Sequence, residues 1–256
     1  MTIQVKYLSE QQIERDAQAL LTAYFHELGK PVQIPVPAED ILELHLGLSL
    51  DFDDLQSVLG IPDVLGALWA DKREVFIDQS LEPTEHPDME GRYHFSVGHE
   101  IGHWRLHRQY LTNAGSKVAM FTDSDPQPTV ICRTSQKKQP IEWQADFFSS
   151  CFLMPRKWVL DAWSRRFGRQ EPLVFADIAG LRWTRRPIRT GLKPIGMVLR
   201  NEFERTFSPH AFVFETVARE FAPMFRVSIQ AMRIRLENLG LLLIDHPVEQ
   251  DLFADE

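Results

Sequence analysis

The chain has 256 residues, 44% of them hydrophobic and 25% charged, a composition that suits a globular protein and excludes a disordered, collagen-like or low-complexity one. That length can bury the core of one large domain, or of a domain with a smaller companion. The net charge of −8 is unevenly spread, because ten basic and only three acidic residues fall between Arg156 and Lys193, leaving about −15 on the rest of the chain.

No stretch approaches the roughly 20 consecutive apolar residues of a membrane span, and the opening MTIQVKYLSEQQIERD lacks the apolar run of a signal peptide, so no membrane partner is expected. Cys132 and Cys151 are the only cysteines. They are too few for a disulfide framework or a cysteine-rich structural zinc site, which points to a reducing, cytoplasmic setting.

Ser9 followed by Gln12 reads as a capping box. Ile13, Ala17, Leu20, Leu21, Tyr24 and Leu28 then recur at helical spacing up to Gly29. Pro31–Pro37 is an extended linker, followed by a short helix from Ala38 to Leu46 that Gly47 stops. Residues 64–79 read as two strands around the polar turn Asp71-Lys72-Arg73, with Leu65, Ala67 and Trp69 alternating on the first. Helices are expected over 91–109, 141–153, 156–166 and most of 214–239, with a third strand at Gly196–Arg200. The polar, turn-rich stretch Asn113–Pro140 reads as a long surface loop or lid. Helices and strands do not alternate regularly, so the expected class is α+β.

The chemistry is concentrated in Phe95-Ser96-Val97-Gly98-His99-Glu100-Ile101-Gly102-His103-Trp104. Four residues along a helix place His99 and His103 about 40° apart and one turn along, so both imidazoles can reach one ion. Glu100 flanks them as a general base for a water activated by zinc. Gly98 and Gly102, one turn apart, allow another element to approach closely. A catalytic zinc typically takes three protein ligands and keeps one position open. His107 cannot be the third, because ligands at i, i+4 and i+8 span about 12 Å of helix; it reads as a packing residue or one that supports a ligand. The remaining option is a carboxylate from a second helix. Ile141–Pro155 supplies that helix: Ile141, Ala145, Phe148 and Phe152 form an apolar face, and Glu142, Asp146 and Ser149 a polar stripe beside it.

HEIGHWRLH followed by E-W-Q-A-D-F-F-S-S-C-F-L-M-P resembles the ImmA/IrrE family of metallopeptidases, in which an HExxH helix is followed by a helix of the form E-x-x-A-x-x-F-A-x-x-L-L-M-P. Glu142, Ala145, Phe148, Leu153, Met154 and Pro155 fit that form, while Ser149 and Phe152 stand where Ala and Leu are usual. The resemblance implies a zinc site of His99, His103 and Glu142 with Glu100 catalytic. It further implies a regulatory endopeptidase that cleaves a protein substrate, a helix-turn-helix repressor, to control stress-response or mobile-element genes.

The expected organisation is a mostly helical peptidase core with a small sheet over 1–205, and a C-terminal helical subdomain over 206–256. Val217–Leu242 resembles a helix-turn-helix, with Ser228 as a cap and Gly240 as a stop. Its Arg226, Arg233 and Arg235, and the basic region 156–193 with Arg182, Arg185, Arg186 and Arg189, are candidate contacts to DNA or to an acidic protein surface. A DNA-binding regulator with a structural or vestigial metal site is therefore the alternative reading. For a peptidase, Leu65–Trp69 and Val75–Asp78 are the strands expected to offer an edge to an extended peptide.

Overall fold

The computed structural model describes residues 5–118, 128, 130–133, 139–177 and 209–246. Contacts divide the chain into two compact units, one comprising Met1–Pro155 with Ala222–Ser228, the other Arg156–Phe221 with Ile229–Glu256. The boundary expected at 205/206, the strand expected at 196–200 and the arginines at 182, 185, 186 and 189 lie outside the described residues.

The first unit is mostly helical, with one sheet. Helix α1 (Glu10–Glu27) opens with the expected reciprocal capping box of Ser9 and Gln12. It closes as a Schellman motif: Lys30 N–H donates to Phe25 and Gly29 N–H to His26, with Gly29 at φ +62°. Helix α2 (Ala38–Asp40) runs directly into a single π turn over Ile41–His45, and Gly47 at φ +65° turns the chain into strand β1 (Ser49–Asp53). A short helix α3 (Leu55–Leu59) leads to the hairpin of β2 (Val64–Trp69) and β3 (Glu74–Asp78).

The sheet order is β1-β3-β2-β4, with β1 parallel to β3, and β4 (Val130–Arg133) antiparallel to β2. This corrects two expectations. Both hairpin strands are interior, so neither is an edge; among the described strands the edges are β1 and β4. The stretch 113–140 is not one loop either. Helix α4 (Glu90–Val118) continues nine residues past the expected end at 109, and the apolar run Val130-Ile131-Cys132 gains ladder hydrogen bonds by pairing with β2.

Helix α5 (Pro140–Leu153) packs against both α4 and α1. The contact surface is apolar: Ile13, Ala17 and Leu20 of α1, Val97 and Ile101 of α4, and Ala145, Phe148 and Phe152 of α5 are all buried. Close approach of α4 and α5 depends on the two glycines. A Cβ on Gly98 would stand 2.6 Å from Ser149 Oγ, and one on Gly102 would stand 3.1 Å from the Cα and carbonyl oxygen of Ala145. Further along the chain, Ala222–Phe225 forms a single helical turn, and Arg226 at φ +51° pairs with Glu90 at the start of α4.

In the second unit, α6 (Arg156–Phe167) buries Trp163, whose ring stacks on Phe221 at 5.8 Å between centroids. Arg166 pairs with Glu220. Leu173–Val174 (β5) and Leu242–Leu243 (β6) form a short parallel pair. Helix Pro209–Ala218 packs against helix Ile229–Asn238. The latter begins directly after Ser228 and ends in a second Schellman motif, with Leu241 N–H donating to Leu236 and Gly240 at φ +70°. The helices expected over most of 214–239 thus take the form of Pro209–Ala218, the single turn Ala222–Phe225 and Ile229–Asn238, interrupted after Ala218 and again at the positive φ of Arg226.

Candidate metal centre

α4 carries His99 and His103 one turn apart, and α5 brings Glu142 across to them. The two Nε2 atoms stand 2.9 Å from each other. Glu142 Oε2 lies 3.2 Å from His99 Nε2 and 3.6 Å from His103 Nε2. A triangle with those sides has a circumscribed radius of about 1.9 Å, so a point just off its plane lies at the 2.0–2.1 Å typical of zinc bonds to nitrogen and oxygen. Three protein donors also leave a tetrahedral ion one open position.

The outer ring nitrogens decide which atoms face that point. His99 Nδ1 lies 2.9 Å from Asp146 Oδ1; an ionised carboxylate only accepts, so the proton sits on Nδ1 and leaves Nε2 with its lone pair. For His103 the assignment starts from a backbone carbonyl. Gln144 Nε2 donates to Lys6 O at 3.1 Å, which turns Gln144 Oε1 toward His107 Nε2, also at 3.1 Å. His107 therefore carries its proton on Nε2, and its Nδ1 accepts from His103 Nδ1 at 3.2 Å. Burial, then the neighbouring His103, pushes the His107 pKa down to about 4, so it is neutral at pH 7 and able to accept. Both metal-facing nitrogens are thus lone-pair donors, aimed with a carboxylate oxygen at one point. Such a set is favourable around a cation, and the residues fit a divalent metal.

Charge follows the same pattern. Burial alone would raise the Glu142 carboxyl, but hydrogen bonds with His103 and His99 more than offset it and hold the group below the usual carboxylate range. Burial, followed by the charge on His99, pushes the His103 imidazole down and favours its neutral, ligating form. Glu100 stands apart. It is fully buried, and neither carboxylate oxygen has a hydrogen-bond partner. Burial pushes its pKa up to about 8, with His99 opposing the rise and Glu142 adding to it. A buried carboxylate without a partner is costly unless a ligand or proton completes it.

All four residues singled out from the motif and the second helix converge here: His99, Glu100, His103 and Glu142. Asp146, the competing carboxylate on the polar stripe, takes the far nitrogen of His99 instead. Ser149 completes the stripe by donating to Phe95 O at 2.9 Å. His107 supports His103, as its position one turn along implied. Gln144 escaped sequence reasoning; its one signal was a polar side chain on the otherwise apolar face of α5, away from the acidic stripe.

Fold and cluster together define a class, an α+β protein with the donor set of a mononuclear metallopeptidase. Residues 84–180 match the model of a peptidase family described as the IrrE N-terminal-like domain. That segment holds α4, α5 and the whole cluster, and the match supports an ImmA/IrrE family metallopeptidase. Comparison with curated protein sequences gives no match. Among solved structures the chain is similar to a Mycobacterium tuberculosis transcriptional regulator, at a TM-score of 0.41 and 13% identity, over 94% of this chain and 54% of that one. The chain thus spans about half the length of that protein.

Proposed function

We propose that the chain is a zinc-dependent endopeptidase that cleaves an extended segment of a regulatory protein, with a helix-turn-helix repressor as its substrate class. The observation that carries this reading is the pairing of a three-donor set having one open position with a buried, unpartnered Glu100 carboxylate. Bound zinc would supply Lewis acidity toward a water and the scissile carbonyl. Asp146 and the His107–Gln144 pair orient the two imidazoles. Glu100 takes the proton of the attacking water and returns it to the leaving amine, a role open to a buried carboxylate that no protein hydrogen bond holds. Strand β4, an edge of the sheet among the described strands, offers backbone hydrogen bonds to an extended peptide.

The DNA-binding alternative draws less support. Of the C-terminal arginines it needs, Arg226 pairs with Glu90, Arg233 with Glu237 and Glu215, and Arg235 is buried. A structural zinc would also require a fourth protein ligand, and among the described residues the cluster holds three.

The test is incubation of the zinc-loaded protein with the repressors encoded beside its gene. A single discrete cut is expected. Glu100→Gln should retain zinc and cut at least ~100-fold more slowly, the usual loss on removing a general base. Undiminished cutting by that variant would remove Glu100 from the mechanism, and an intact repressor would remove this substrate class.

A further inference from the structure

Gly66 lies on β2 between Ile77 of β3 and Cys132 of β4. A glycine inside a strand marks a bulge or a close approach by another group, and here both occur. The pairing register of β2 with β4 shifts between Val64 and Gly66. An ideal Cβ on Gly66 would stand 2.7 Å from Glu100 Oε1 and 3.4 Å from Glu100 Cδ, with Ile77 Cδ1 at 3.3 Å. Gly66 is not among the residues with positive φ. Its backbone does not demand glycine; the space does. The colliding atom is the tip of the Glu100 side chain, so a methyl group here would be accommodated by moving that carboxylate and not by opening the sheet.

We propose that Gly66 is a positioning residue for catalysis: its missing side chain forms the recess in which the Glu100 carboxylate is held beside His99, His103 and Glu142. The proposal rests on the reading of Glu100 as the proton acceptor. A Cβ at position 66 displaces the carboxylate while leaving the three metal-facing donors in place, so metal binding and catalysis separate.

The experiment compares wild type, Gly66→Ala, Ile77→Val and the Gly66→Ala/Ile77→Val double variant, all zinc-loaded. Zinc affinity is read by chelator competition, Tm by calorimetry, and kcat and KM on a synthetic peptide spanning the cut site of the repressor. The Glu100 carboxyl is followed by its carbon resonance in glutamate-labelled protein, assigned by its loss in Glu100→Gln. Expected for Gly66→Ala are zinc affinity within about threefold of wild type, little change in KM, a kcat at least ~100-fold lower, and a shifted Glu100 resonance beside an unmoved Glu142 signal. Ile77→Val should be near wild type and should not restore the double variant.

Wild-type kcat in Gly66→Ala would overturn the proposal. So would recovery by Ile77→Val, which would assign the glycine to packing against Ile77, or a parallel loss of zinc. If Gly66→Ala does not fold, adding Glu100→Asp, one methylene shorter, should restore its Tm, and failure to do so overturns the recess. If wild type cuts no peptide, the proposed function falls, and the resonance alone then decides the recess: a shift supports it and an unmoved signal overturns it.

Discussion

Two helix pairs in this chain carry clustered charged groups, and they treat them differently. In the pair Pro209–Ala218 and Ile229–Asn238, Arg233 lies between Glu215 and Glu237, 3.5 and 2.8 Å away, so each charge faces its opposite. In the pair of α4 and α5, two imidazole nitrogens and a carboxylate oxygen converge, and a second carboxylate has no partner at all. In the first arrangement every charged group has an opposite charge of the protein beside it, although Arg233 Nε itself makes no hydrogen bond. In the second a fully buried carboxylate is left for a ligand or a proton to complete, and such a group beside converging donors marks a candidate functional site.

The sharpest way to break the comparison is through metal affinity. Glu142→Ala removes a donor and should weaken zinc binding by several orders of magnitude. Asp146→Ala leaves all three donors and should cost the ~10–100-fold typical of losing a partner that orients a ligand. Isothermal titration of both variants checks the order. Equal losses, or normal binding by Glu142→Ala, would reassign the third ligand.

Acid sensitivity comes next. In metal-free protein, the His107 pKa of about 4 lies below its unfolded value near 6.5. Between these values the unfolded chain binds a proton that the folded chain refuses. Stability is therefore full above about pH 6.5 and is lost as pH falls toward 4, by an amount on the order of 3 kcal/mol at most. His107→Gln should flatten that part of the stability curve, as read by urea titrations from pH 7 to 4. An unchanged slope would show that His107 does not carry the effect.

A smaller loss should follow Gly102→Ala. The added methyl meets the Ala145 backbone, and overpacking costs about 1–3 kcal/mol, reduced by the ~1 kcal/mol that alanine gains over glycine in a helix. Thermal denaturation should show the drop, and a stabilised variant would mean that the helices can separate freely. The smallest effect belongs to the C-terminal ion pairs: Glu237→Gln should change stability by less than about 1 kcal/mol and leave zinc affinity untouched. A larger change would make the C-terminal ion pairs structural anchors of their unit.

Local geometry was legible in the sequence because it depends on neighbours along the chain. The Ser9–Gln12 box, the stops at Gly29 and Gly240, the one-turn spacing of His99 and His103, the polar stripe of α5 and the close-approach glycines of α4 all follow from helix periodicity or from the absence of a Cβ. By contrast, β1 and β4 find their partners 25 and 64 residues away, between Ser49 and Glu74 and between Ala67 and Ile131. Without them the hairpin β2–β3 reads as exposed, although it is interior. The choice of Glu142 over Asp146 was likewise tertiary. Both lie on the stripe, one turn apart, and only the approach of α5 to α4 decides which carboxylate meets the inner nitrogens and which the outer one. Gln144 interrupts an apolar face and Gly66 carries no periodic signal, but neither fact names a partner; each matters because a residue distant in sequence, Lys6 and His107 in one case and Glu100 in the other, comes to lie against it. The sequence by itself determined which side chains share a helix face, since 3.6 residues per turn is a local rule. Which faces meet was settled by packing, because burying apolar surface selects among long-range arrangements that no short window of residues can rank.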